Sequence, residues 1–138
     1  MVSGSELDRF AAWHLRAWDE SSDVAWTTVD GTLCFVDISG FTALSEKLAT
    51  LGRVGAEELT EVLNRVFGDM LGLAAERGGT LLKYGGDALL LLFEGQDHAV
   101  QAASATVEMR AALRKAADIP TSVGRVALRM SQGVHSGE

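Results

Sequence analysis

Two aspartates stand at the ends of apolar runs, where folding alone does not require an acid. Asp37 closes the run LCFVD, and Asp87 stands between a Gly-Gly pair and the run ALLLLF. Runs of this length, bounded by turn residues, are typical of buried strands. Carboxylates at the ends of neighbouring strands supply the hard oxygen ligands that Mg²⁺ or Mn²⁺ prefers, and two such ions can promote an in-line displacement at phosphorus. The pair predicts a two-metal site that handles phosphate groups.

The residues after Asp37 predict a turn that holds phosphate. Ser39 and Gly40 follow the strand, and a helix begins near Phe41 with Ser39 as its N-cap. The first amide groups of a helix have no partner within it and lie at its positive end, so Phe41 and Thr42 can donate hydrogen bonds to phosphate oxygens.

Each of these charged residues also has a purely structural interpretation. Asp37 can cap the turn that follows it, and Asp87 can serve the tight turn that contains Gly86. Lys83, four residues before Asp87, can be a strand residue that faces solvent. The joint arrangement of two strand-end acids around a phosphate-binding turn favours the functional interpretation.

The elements that position these residues follow from the spacing of the apolar side chains. We expect a strand over about residues 32–37, two helices separated at residues 51–53, and a hairpin over about residues 80–93. A third helix over about residues 97–117 and a final strand over residues 126–134 follow. The third helix carries a stripe of apolar residues at helical spacing, Val100, Ala103, Val107 and Ala111.

This order predicts an α+β fold with a ferredoxin-like βαββαβ core over residues 31–138, its helices on one face of an antiparallel sheet. In that topology the first and third strands are central and adjacent, which brings Asp37 close to Asp87. Residues 1–30 form a separate segment, with an amphipathic helix over about residues 5–18 followed by a polar linker.

The composition of the chain argues against two classes of partner, nucleic acids and membranes. The chain has 138 residues, 12 basic against 19 acidic, and a net charge of -7 without a basic patch, so a nucleic-acid partner is not expected. No apolar run reaches the roughly 20 residues that span a bilayer, and no secretion signal stands at the start, so we expect no membrane partner and a cytoplasmic location. The single cysteine, Cys34, is interpreted as a buried, inert thiol.

Two segments carry a resemblance to a known family. FVDISGFT at residues 35–42 and KYGGDALL at residues 83–90 together resemble the class III adenylyl/guanylyl cyclase catalytic domain. The closest similarity is to the first cyclase domain of the soluble, bicarbonate-responsive adenylyl cyclases. The resemblance continues through residues 55–59 and 62–64 and covers about residues 31–137. Two motifs in the right order on the right elements make a specific signal.

The resemblance implies a role for each motif residue. Asp37 and Asp87 would bind two Mg²⁺ or Mn²⁺ ions with help from the Ile38 carbonyl, and the amides of residues 39–42 would hold the triphosphate of ATP or GTP. Lys83 would read the purine, as in homodimeric members, or line a degenerate regulatory pocket, as in tandem members. Gly86 would belong to the nucleotide site. The implied reaction is attack of the ribose 3′-oxygen on the α-phosphorus, which gives a 3′,5′-cyclic nucleotide and pyrophosphate.

The resemblance also implies a second cyclase domain as partner, because sites in this family form between two domains. The family's domain continues past the strand that ends near Gly137 and carries there an asparagine and an arginine for the transition state, so we expect the chain alone to be inactive. Two alternatives stay open. One is a non-catalytic regulatory cyclase-like domain. The other is a diguanylate cyclase, whose signature turn resembles residues 84–87 but continues with a glutamate and a phenylalanine where Ala88 and Leu89 stand here.

Overall fold

A computed structural model describes residues 26–116, 119–125 and 128–138 of the chain. Its helices are α1 (Phe41–Ala49), α2 (Arg53–Glu76) and α3 (His98–Ala116). Its longer strands are β1 (Gly31–Ser39), β2 (Gly79–Gly85), β3 (Ala88–Glu94) and β6 (Arg129–Gly137), and two short strands, β4 (Pro120–Thr121) and β5 (Gly124–Arg125), pair with each other. The helix expected over residues 5–18 lies outside the described residues.

The four longer strands form one antiparallel sheet in the order β2-β3-β1-β6. Strand β1 alternates along its length: Cys34 and Val36 are fully buried, whereas Leu33 and Phe35 are 40% and 52% exposed. This alternation is typical of an antiparallel sheet that packs helices on one face only. The buried side of β1 faces the helices, and we call the other side, which carries Leu33, Phe35 and Asp37, the open face. The α+β ferredoxin-like plan is therefore confirmed, with β1 and β3 adjacent at its centre.

Helix α2 packs through a stripe of buried residues spaced four apart, namely Val62, Val66, Met70 and Ala74. This spacing places one side chain per turn on the same side of the helix, which is what a core-facing stripe requires. The break between α1 and α2 falls where the sequence predicts it, at residues 50–52. None of the described helices combines the length and apolar content needed to cross a bilayer.

The apolar stripe noted in the sequence of α3 is not the side that packs against the sheet. Val100 and Val107 are 65% and 70% exposed, and Ala103 and Ala111 are exposed with them. The residues that face the sheet are instead Ala102, Ala105, Met109 and Leu113. Both stripes have helical spacing, so periodicity could not choose between them. Small alanines on the buried side are compatible with a close approach of the helix to the sheet, whereas the valines would hold it further away.

The final strand also begins later than expected. Strand β6 spans Arg129–Gly137, whereas residues 126–134 were expected. The displacement follows from its pairing, because β6 matches β1 residue for residue from Ser39 opposite Arg129 to Gly31 opposite Gly137. The hairpin of β4 and β5, which the sequence does not predict, takes up part of the intervening chain.

Candidate active site

Asp37 lies in β1, and Asp87 lies in the hairpin turn that leads into the neighbouring strand β3. Asp37 pairs with Ala88 across the β1–β3 ladder, so Asp87 is displaced from it by a single residue. Beyond that pair, the backbone N–H of Ile38 donates a hydrogen bond to the carbonyl oxygen of Asp87 at 3.1 Å. Asp37 is partly exposed on the open face, and Asp87 is exposed. The main chain therefore fixes the two carboxylate-bearing residues next to each other.

The hairpin turn is tighter than the sequence suggests. Gly85 pairs with Ala88, which leaves only Gly86 and Asp87 in the loop, so Asp87 belongs to the turn and Gly85 to β2. Gly86 has φ 72°, and a two-residue hairpin with a positive φ at its first position has the pattern of a type II′ turn, for which glycine is favoured. The turn therefore requires Gly86, but it does not require an acid at the second position.

The electrostatics of the pair fit divalent cations. In the described part of the chain, neither the Asp37 nor the Asp87 side chain makes a hydrogen bond or an ion pair. Each carboxylate therefore lacks a charge partner, and hard ions such as Mg²⁺ satisfy this kind of oxygen donor. The described residues contain no group of three or more His, Cys, Asp or Glu side chains able to hold a metal. Any ion here would complete its coordination with main-chain, phosphate or water oxygens.

The start of α1 is built around a glycine instead of a serine cap. Ser39 still belongs to β1, and Gly40 occupies the N-cap position with φ 110° and no side-chain cap. The expected Ser39 cap is therefore wrong, because pairing with β6 extends β1 by two residues. The first helical bond runs from the Leu44 N–H to the Gly40 carbonyl, so the amides of Phe41 and Thr42 have no partner within the helix. These amides can donate to an anion.

A β-bulge decides where Lys83 points. Leu81 pairs with Leu91, but Lys83 pairs with Leu90, so one residue of β2 is extra. The extra residue moves Lys83 onto the open face and Tyr84 onto the helix side. Because β3 lies between β1 and β2, and the register puts Lys83 level with Phe35, Lys83 is about 12 Å from Asp37 across the sheet. The structure therefore places Lys83 on the same face as Asp37 but not beside it.

A cation that the sequence does not predict, Arg129, lies beside the turn that follows β1. Arg129 pairs with Ser39 in the β1–β6 register, and it is among the residues that line a cavity of about 430 Å³ together with Arg110 and Arg114. A single arginine at a strand start gives no local signal, because its place beside Ser39 depends on the long-range register.

The match to protein families covers most of the chain. The sequence profile described as "Adenylate and Guanylate cyclase catalytic domain" matches residues 26–138. The chain belongs to this family. The predicted family resemblance is thus confirmed, and the cyclase domain can be compared with its relatives.

Among curated proteins, the cyclase domain is 48% identical to Adenylate cyclase type 10 of Rattus norvegicus over 67 residues, which are 47% of this chain and 4% of that protein. Among solved structures, it is 31% identical to the adenylyl cyclase CyaB from P. aeruginosa, with a TM-score of 0.64 over 78% of this chain and 56% of that one. It is 35% identical to the guanylyl cyclase Cya2, with a TM-score of 0.64 over 78% and 53%. The chain therefore spans a small part of the curated relatives and just over half of the solved domains.

Proposed function

We propose that this domain binds a nucleoside triphosphate together with two divalent ions and takes part in its conversion to a 3′,5′-cyclic nucleotide and pyrophosphate. The single observation that carries the proposal is the pair Asp37, in β1, and Asp87, in the hairpin turn one residue beyond the partner of Asp37, with no cation in the described chain to neutralise them. Neither turn chemistry nor packing explains both carboxylates.

The residues around the pair have separate tasks in this proposal. Asp37 and Asp87 hold Mg²⁺ or Mn²⁺, with the Ile38 carbonyl as a further oxygen donor. When bound, the ions supply positive charge that lowers the pKa of the ribose 3′-hydroxyl and stabilises the charge that develops at phosphorus. The amides of Phe41 and Thr42 orient the triphosphate beside them, and Gly40 lets the main chain turn sharply enough to present these amides.

A second cyclase domain completes the site in this proposal. Several solved relatives are adenylyl or guanylyl cyclases. One of them, the guanylyl cyclase domain of the RhoGC fusion protein, is a non-canonical dimer. In this proposal Lys83, which lies on the open face two strands away from β1, contacts the base of a nucleotide held across the interface. The cytoplasmic location stays a prediction.

Metal-dependent nucleotide binding tests the proposal. We expect the chain to bind a non-hydrolysable ATP or GTP analogue only when Mn²⁺ or Mg²⁺ is present, as measured by calorimetry. Asp37→Asn and Asp87→Asn keep the side-chain shape and remove the charge, so each should weaken metal-dependent binding more than about tenfold. Asp69→Asn, at an exposed position of α2, is the control and should bind like the wild type.

Other outcomes favour the alternatives. Nucleotide or anion binding that is unchanged in both aspartate variants supports the non-catalytic regulatory domain. Binding of GTP but not ATP, with a cyclic dinucleotide as product in the full protein, supports the diguanylate cyclase.

A further inference from the structure

Three aromatic rings from three separate elements stand in a row beneath the candidate site. The rings of Phe41 and Phe67 are stacked, with centroids 5.8 Å apart and an angle of 27° between their planes. The rings of Phe67 and Tyr84 meet edge to face, with centroids 6.1 Å apart and an angle of 83°. Both geometries are among those that aromatic pairs prefer, and such pairs contribute beyond the apolar area they bury.

The two outer rings belong to the two halves of the candidate site. We call residues 39–42 the phosphate turn. Phe41 is the first residue of α1 and carries one of the free amides of this turn. Tyr84 lies three residues before Asp87, in the strand that leads into the hairpin turn. Phe67, from the middle of α2, lies between them and contacts both. The row of rings therefore joins the phosphate turn to the hairpin on the side of the sheet opposite Asp37.

The hairpin needs such a restraint, because its main-chain support is one-sided. Strand β2 is at the edge of the sheet and has only β3 as a neighbour. Beyond the paired Asp37 and Ala88, the connection from β1 to the turn is the bond from the Ile38 N–H to the Asp87 carbonyl. A tip held by so few bonds can hinge about the end of β3, which would move the Asp87 carboxylate relative to Asp37.

The bulge in β2 makes the ring contact available. Without the extra residue between Leu81 and Lys83, the alternation of β2 would place Tyr84 on the open face, away from α2. Partial burial against the helix also raises the pKa of the Tyr84 hydroxyl above its usual range. Tyr84 as a whole is 45% exposed. Its ring nevertheless contacts the protein, because it meets the ring of Phe67 edge to face.

We propose that Phe67 is a positioning residue, which sets the spacing between the phosphate turn and the metal-bearing hairpin by contacting Phe41 and Tyr84 at once. The consequence for metal affinity rests on the proposed function. The coupling between the two segments does not, because it is a property of the described contacts alone.

Two measurements on the same variants separate these claims. The first is the amide hydrogen exchange of Ile38, followed by NMR, which reports opening of the bond to Asp87 and needs no metal. The second is Mn²⁺ affinity, from the paramagnetic relaxation of water protons. The variants are Phe67→Leu, which removes the middle ring, and Tyr84→Leu, which removes the outer one. Phe67→Tyr and Tyr84→Phe retain the rings and serve as conservative rescues.

Leu71→Ala is the matched structural control. Leu71 lies one turn further along α2 and packs against the same core. Its truncation lowers stability while all three rings stay in the chain. Stability is measured in parallel by urea unfolding, so that exchange through global unfolding can be recognised.

We expect Phe67→Leu and Tyr84→Leu to speed the exchange of Ile38 by about threefold to tenfold and to weaken Mn²⁺ binding by a similar factor, which is the worth of one aromatic pair. The two rescues should behave like the wild type, and Leu71→Ala should change only the urea midpoint. Unchanged Ile38 exchange in Phe67→Leu, or equal acceleration in Leu71→Ala, overturns the proposal. Faster Ile38 exchange with no Mn²⁺ bound by any variant, including the wild type, retains the coupling and rejects the metal site.

Discussion

Neighbouring residues of β1 have opposite chemistry because the strand alternates between two environments. Cys34, Val36 and Ile38 are fully buried against the helices, while Asp37 between the last two lies on the open face. The backbone needs nothing from the Asp37 side chain, so its charge is available for binding. Cys34 is the opposite case, since burial raises the pKa of its thiol from the usual 9.0 to about 11. That thiol is buried, as expected from the sequence, and is neutral at physiological pH.

Burial of the Cys34 thiol predicts how the stability of the fold depends on pH. Because burial raises the pKa of Cys34 in the folded chain, its contribution to stability is complete below about pH 9 and is lost as pH rises toward 11. We expect the urea midpoint of the wild type to fall more steeply over this window than that of Cys34→Ala. Iodoacetamide should label the wild type only at the rate of global unfolding. Rapid labelling of the folded chain at pH 8 would contradict the assigned burial.

At the scale of elements, the junction of α1 and α2 depends on a close approach of two backbones. Gly55, in the first turn of α2, is buried, and a Cβ built on it would lie 1.8 Å from the Leu48 carbonyl oxygen of α1. No side chain fits there unless α1 moves. Since α1 begins at the phosphate turn, this contact also fixes the direction in which its free amides point.

Substitution of Gly55 tests this contact. We expect Gly55→Ala to lower the free energy of unfolding by about 1–3 kcal/mol through overpacking against α1. Gly68→Ala, further along the same helix with open space around the new methyl group, should instead raise it by up to about 1 kcal/mol through helix propensity. Urea unfolding of both variants is the measurement. Equal effects of the two substitutions would show that helix propensity alone governs this helix.

Local signals predicted the elements, but not the features that depend on distant pairing. The apolar runs and the glycines located β1, the hairpin and the break before α2, and the order of elements was enough to bring Asp37 near Asp87. The bulge that turns Lys83 outward, the extension of β1 through Ser39 and the position of Arg129 depend on register between strands far apart in the sequence. Two apolar stripes of α3 share one helical period, so the sequence alone could not tell which of them is buried.

At the scale of the whole molecule, the two faces of the sheet differ in what covers them. Helices cover one face, while the open face exposes the large apolar side chains of Leu33 and Phe35 next to Asp37. Exposed apolar surface beside a candidate site is a common mark of an interaction surface. Under the proposed function, a second cyclase domain covers it, and a second copy of this chain is the simplest such partner.

A charge introduced in place of an exposed apolar residue, on each side of the molecule in turn, tests this arrangement. We expect the chain to self-associate in sedimentation experiments, and Phe35→Glu to lower the association constant at least about tenfold, since it would bury an unpaired carboxylate in the interface. Val107→Glu places the same charge at a 70% exposed position of α3, on the helix side, and should leave association unchanged. Metal-dependent nucleotide binding to one copy should survive Val107→Glu. If instead Val107→Glu disrupts association and Phe35→Glu does not, the helix side is the interface, and Lys83 then faces solvent instead of a nucleotide held by a partner.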